Sequence, residues 1–165
     1  MANGINAQRL NNKFSYSNLN GVTRIGFNSQ YQPDITYGFG IDYISIKRNK
    51  NYVKTSGSYV ILDSRSEDVK SGKIGLTYGK YFFNIGKRIY VRGLLGMEAG
   101  YEYKESKVID DSESFCFCGL HVGLEPEIFI SQNLVIYGGA REYAHYYSNN
   151  MRANWNLYGG LRISF

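Results

Sequence analysis

The chain has 165 residues, room for one domain and not two, and its 19 Lys and Arg exceed its 14 Asp and Glu to give a formal net charge of +5. The basic residues are scattered, with Lys47, Arg48 and Lys50 the one tight cluster, so the continuous basic face of a nucleic-acid binder is missing and no direct nucleic-acid contact is expected. No apolar run approaches the roughly 20 residues of a membrane-spanning helix, which excludes helical spans and leaves membrane strands open.

Sixteen Tyr and nineteen Gly against two Pro favour sheet over helix, since Tyr suits strands and a water–lipid boundary while Gly permits close backbone approach. Residues 1–20 are expected to be a flexible N-terminal segment and residues 21–165 the folded unit. Two readings of the opening stay open. Asn6-Ala7 before Gln8 resembles a signal-peptide cleavage site, and an ordinary disordered terminus fits equally.

Alternation of apolar and polar side chains then marks eight strands. The first spans about 22–30, with Ile25 and Phe27 opposite Arg24, Gly26 and Asn28. After Gln32-Pro33-Asp34, the second (35–47) puts Ile35, Tyr37, Phe39, Ile41 and Tyr43 on one face and Gly38, Gly40 and Asp42 on the other. A turn at 48–51 leads to a weaker third (52–64), with Val53, Tyr59 and Ile61 outward. Residues 65–70 read as a charged loop.

The fourth strand (71–83) opposes Ile74, Leu76, Tyr78 and Phe82 to Lys73, Gly75, Thr77 and Gly79, and 84–87 reads as a tight turn. The fifth (88–104) sends Ile89, Val91, Leu95, Met97, Ala99 and Tyr101 outward and Arg92, Gly96, Glu98, Gly100 and Glu102 inward. Residues 104–114 read as a long polar loop. In the sixth (115–130), Cys116, Cys118, Leu120, Val122, Leu124 and Ile128 oppose Gly119, His121, Gly123, Glu125 and Glu127. A turn at 131–133 opens the seventh (134–146), where Tyr137, Gly139, Arg141 and Tyr143 share the polar side. A loop at 147–151 precedes the eighth, with Trp155, Leu157, Leu161, Ile163 and Phe165 opposite Arg152, Asn154, Asn156, Tyr158, Arg162 and Ser164.

Eight strands with no helical stripe predict an all-β fold, a closed eight-stranded antiparallel transmembrane β-barrel of the outer-membrane type with a side-chain-filled lumen. Phe165 ends the last strand and resembles the terminal signal read by the barrel-insertion machinery. Outer-membrane lipid and that machinery are therefore the expected partners. With both termini in the periplasm, the longer connections 65–70, 104–114 and 147–151 face outside and the turns 47–51, 84–87 and 131–133 face inside.

Asp42, Lys73, Arg92, Glu98, Glu125, Glu127, Arg141 and Arg162 are the expected lumen charge network. Buried charges need pairing, and the planar arginine fork can hold two carboxylate oxygens. The network is read as structural, because an eight-stranded interior is too narrow for an aqueous channel. His145 and Ser148, near the last loop, are the candidates for a catalytic pair, but H-Y-Y-S shows no Ser–His–acid arrangement and His145 is expected to be a solvated rim residue. No catalytic residue, cofactor or metal site is expected. Cys116 and Cys118, as C-x-C on one strand face, are poorly placed for a mutual disulfide and lack further ligands for zinc.

Y-G-F-G-I-D-Y (37–43), G-L-T-Y-G-K-Y-F (75–82), L-L-G-M-E-A-G-Y-E (94–102), the linked stretch 119–142 and the closing strand together resemble the conjugative-transposon TraO family of Bacteroidetes. The resemblance covers about 145 residues, from Gly21 onward. It implies a small exported barrel of the conjugal transfer apparatus, with other conjugal-transfer proteins as candidate partners and no catalytic residues. Glu125, Glu127, Arg141 and Glu142 match the family's recurring charged positions and are read as lumen architecture. A lipid-modifying barrel enzyme, a generic adhesion or stability barrel, and a soluble lipocalin-like barrel with its apolar face inside remain alternatives at this point.

Overall fold

The structure is a computed structural model that describes residues 23–32, 36–47, 49–63, 67–107, 111–147 and 150–165. The expected N-terminal segment, the turn residues Pro33 and Asp34, Arg48, Arg65 and Ser148 lie outside the described residues, as does the side chain of Tyr37. The elements are β1 (Thr23–Gln32), β2 (Thr36–Ile46), β3 (Tyr52–Asp63), β4 (Glu67–Ile85), β5 (Ile89–Ser106), β6 (Ser112–Phe129), β7 (Leu134–Tyr147) and β8 (Asn150–Ser164). Each pairs antiparallel with its sequence neighbour, and β8 closes onto β1, so the sheet is an eight-stranded barrel in strand order.

Closure fixes the stagger. A path through register partners from Leu134 by way of Ile163, Ile25, Tyr43, Thr55, Leu76, Met97 and Leu120 returns to β7 at Ala144, ten residues further along the strand. Such a shift forces the strands to tilt and leaves an interior only wide enough for side chains.

Alternation places the apolar residues outside. Phe27, Ile41, Ile74, Leu95, Leu124 and Leu161 are all exposed on the exterior, while Arg24, Arg92 and Arg162 are fully buried within. A soluble barrel would put its apolar face inside; here that face forms an external belt, as a lipid-embedded barrel requires.

Short turns gather at one end and the other connections at the opposite end. At the turn end, Lys47 N donates to Asn51 O at 2.8 Å and Lys50 takes a positive φ of 66°. The lumen is closed there by Ile44, Ile46, Tyr90, Leu94, Phe129 and Val135. A bulge near this end, between Tyr81 and Phe83, lets Phe82 and Phe83 both stand outside.

At the opposite end the strands run further than the alternation implies. Residues 67–70, expected in a loop, belong to β4, and the loop expected at 104–114 shrinks because Lys104 pairs with Glu113 and Glu105 with Ser112. Tyr147 likewise pairs with Asn150. Above the apolar belt both faces of a strand meet water, so the side-chain signal fades while the backbone ladder continues.

Candidate functional site

The lumen holds the chemistry of this chain. Asp42, Lys73, Arg92, Glu98, Glu125, Glu127, Arg141 and Arg162 all point into it, supplied by β2, β4, β5, β6, β7 and β8. They form two clusters at different heights rather than one.

The lower cluster centres on two glutamates of β6. Glu125 accepts from Arg162 Nη1 at 2.7 Å and Nη2 at 3.1 Å, from Tyr52 Oη at 2.5 Å, from Tyr158 Oη at 2.9 Å and from Lys54 Nζ at 3.2 Å. Glu127 accepts from Arg162 Nη1 at 2.6 Å and Arg24 Nη1 at 3.2 Å and pairs closely with Arg92. Asp42 takes a hydrogen bond from Tyr137 Oη at 2.7 Å and a longer one from Arg162 Nη2 at 3.4 Å. Tyrosine rings also cover the cations: Arg162 lies 3.5 Å from the Tyr137 centroid and Arg141 3.9 Å from that of Tyr158. Such pairing and stacking offset the cost of removing these charges from water.

Local backbone places Glu125 at a seam. The β6–β7 ladder is interrupted between the Leu124–Ala140 and Glu127–Tyr137 pairs, where Pro126 has no N–H to donate. Gly139 faces this stretch, and a Cβ there would lie 2.6 Å from the Tyr158 hydroxyl oxygen. Glycine at that position lets Tyr158 reach Glu125.

The upper cluster centres on Glu98. His145 Nε2 lies 2.5 Å from Glu98 Oε1, Lys73 Nζ lies 3.3 Å from the same oxygen, and His121 bonds Thr77 through Nε2 at 3.0 Å. His145 is therefore not the solvated rim residue expected: it is buried, and it stacks on Phe117 at 4.7 Å. Its parity is that of His121 and Tyr143, and β7 continues two residues beyond it. Nearer the open end, Tyr147 Oη donates to Glu102 at 3.2 Å.

Glu142 overturns another expectation. It is exposed on the outer face, between Val122 and Trp155 in register, because it follows Arg141 on a strand and the two must point oppositely. It is no part of the lumen architecture. Cys116 and Cys118 are free and also face outward, Cys118 on the wall of an apolar groove with Ile74, Met97, Leu120 and Met151. Among the described residues no group of three or more His, Cys, Asp or Glu is placed to hold a metal. Thr77, His121 and Glu98 resemble a nucleophile–base–acid series in order alone, since His121 Nδ1 is 3.9 Å from Glu98 and Thr77 is fully buried.

Sequence reasoning left Arg24, Lys54, Tyr52 and His145 out of the network. Parity was the available signal for Arg24 and His145; Lys54 lies in the strand whose alternation is weakest.

No family model and no curated protein matches the chain. Solved structures do. The N-terminal β-barrel domain of Pseudomonas aeruginosa OprF aligns with a TM-score of 0.58 at 13% identity over 88% of this chain and 98% of that one. Neisserial surface protein A aligns at 0.57 and 14% identity over 87% and 95%, and a major outer membrane protein of Thermus thermophilus at 0.63 and 10% identity over 87% and 99%. These likenesses establish the fold: the chain has the architecture of the eight-stranded outer-membrane barrels.

Proposed function

We propose that this protein is a bacterial outer-membrane barrel that acts through its architecture and its surfaces rather than by catalysis, as a component of a conjugal DNA transfer apparatus. The observation that carries the membrane placement is the pairing of an external apolar belt with an ionic, side-chain-filled interior. The non-catalytic reading is supported by the engagement of the lumen side chains with one another. Glu98 is bound by His145 and Lys73, and Glu125 by five donors.

The conjugal role rests on the sequence resemblance alone, carried by stretches 37–43, 75–82, 94–102 and 119–142 and by the closing strand. Deletion of the gene in a donor strain tests it: a fall in transfer frequency of tenfold or more, restored by the gene in trans, is expected, and unchanged transfer rejects it. Lipid A mass spectra with and without the protein test the absence of catalysis, and a new acylation pattern would reject that part.

A further inference from the structure

At the short-turn end the β4–β5 hairpin runs on past its neighbour. Pairing of β4 with β3 stops at Gly79, opposite Tyr52, so residues 80–85 pair with β5 alone. The outer face of this extension is apolar. The bulge between Tyr81 and Phe83 sets Phe82 and Phe83 outside together with Ile85, and the three are 52%, 52% and 59% exposed. The Phe82 ring rests on the outer wall over Gly93, where a Cβ would stand 2.3 Å from it. These side chains continue the outward row of Leu76 and Tyr78, and so carry the apolar belt to its turn-end edge.

Cations frame that edge. Lys80 is exposed on the same face, between Tyr78 and Phe82, and Lys87 and Arg88 are exposed in the turn. The turn-end connections 47–51, 84–89 and 129–134 hold Lys47, Arg48, Lys50, Lys87 and Arg88 but no Asp or Glu. The opposite end is balanced instead: Lys107 meets Asp68 at 2.8 Å and Lys104 meets Glu102 at 3.3 Å.

An apolar edge framed by positive charge fits an anionic bilayer surface. Aromatic side chains at the rim of a belt lie where acyl chains meet headgroups, and a lysine stem carries its ammonium from the belt to the phosphates. Basic residues beside an anionic leaflet are drawn by its surface potential, and the arginine fork suits a phosphate. An acidic soluble protein would match the charges but leave Phe82 and Phe83, which face the same way as the belt, uncovered.

We propose that the β4–β5 hairpin binds anionic phospholipid: Lys80, Lys87 and Arg88 hold the headgroup phosphates while Phe82, Phe83 and Ile85 lie against the upper acyl chains. This site rests on the membrane placement argued above. The test uses the full chain folded into mixed phosphatidylcholine–phosphatidylglycerol vesicles in which one lipid or the other carries brominated, fluorescence-quenching chains. Trp155, the single tryptophan, faces outward on β8; Phe83→Trp in a Trp155→Phe background moves the indole to the hairpin. Mole for mole, brominated phosphatidylglycerol should quench the hairpin indole several-fold more than brominated phosphatidylcholine, with no such preference at Trp155. Combined Lys80→Gln, Lys87→Gln and Arg88→Gln abolishes the preference, and about 1 M salt weakens it, because the screening length falls to about 3 Å. Lys70→Gln with Lys107→Gln, at the opposite end, leaves it intact. Equal quenching of the hairpin indole by the two lipids overturns the proposal, as does an equal preference at Trp155, which net charge alone would produce. A hairpin indole quenched by neither lipid stands in water to meet a soluble partner, and also overturns it. Absence of quenching at Trp155 as well rejects the membrane placement itself, so the two failures are distinct. The comparison of lipids at the Phe83→Trp indole decides the matter even if the triple variant does not fold.

Discussion

The guanidinium of Arg162 meets Glu125 twice, Nη1 to Oε1 at 2.7 Å and Nη2 to Oε2 at 3.1 Å, which ties β8 to β6 across the lumen. The same Nη1 reaches Glu127 at 2.6 Å, so one side chain balances two glutamates. Arg162→Met leaves both without their shared cation and should cost on the order of 3–5 kcal/mol, the range for removing one partner of a buried pair. Urea unfolding in lipid vesicles measures it. In a double-mutant cycle, Glu125→Gln should be far less damaging in the Arg162→Met background than alone; additive losses would show that the pair does not couple.

Backbone contacts inside so narrow a barrel set a second expectation. A Cβ on Gly96 would stand 2.5 Å from both His121 Nε2 and the Leu76 carbonyl oxygen, while a Cβ on Gly57 would meet nothing within 4 Å. Gly96→Ala must therefore move a strand or displace His121, with an expected loss of about 1–3 kcal/mol from overpacking. Gly57→Ala should instead stabilise by about 0.5–1 kcal/mol, because alanine has less freedom to lose on folding. Equal effects from the two substitutions would contradict this account of the interior.

Much of this arrangement was legible from parity, and the illegible part has identifiable causes. Period-two alternation assigns Asp42, Glu125 and Arg162 to the inside because apolar neighbours flank each of them. Tyrosine carries no such information: Tyr43 and Tyr78 face out while Tyr52 and Tyr137 face in, and type alone does not separate them. Lys54 was obscured by Thr55-Ser56-Gly57-Ser58, where neither face is greasy. Glu142 enters the lumen reading only through the family resemblance, and its position next to Arg141 on a strand overrules it. The outer strand ends were missed because a ladder in water needs no apolar face.

Glu142 itself gives a third expectation. A carboxylate facing hydrocarbon is unfavourable, although less so than Lys or Arg. Glu142→Leu should raise the stability of the purified protein in bilayers by about 1 kcal/mol, measured by unfolding from lipid vesicles. Destabilisation in bilayers would mean that the carboxylate has a favourable partner there.

The membrane reading also makes a quantitative demand on the belt. Leu95 is exposed on the exterior, six residues above the turn-end start of β5, with Tyr78 and Val122 as its register neighbours. Leu95→Arg should cost about 2–4 kcal/mol in a bilayer, the range for a lipid-facing cation near the midplane. Lys80→Arg, a charge-conserving change nearer the turn end, serves as the control and should cost little. A soluble barrel would treat Leu95→Arg as an ordinary surface change of within about 0.5 kcal/mol. Measuring both variants by unfolding from lipid vesicles therefore separates the two placements, and a small loss at Leu95 would remove the belt from the membrane.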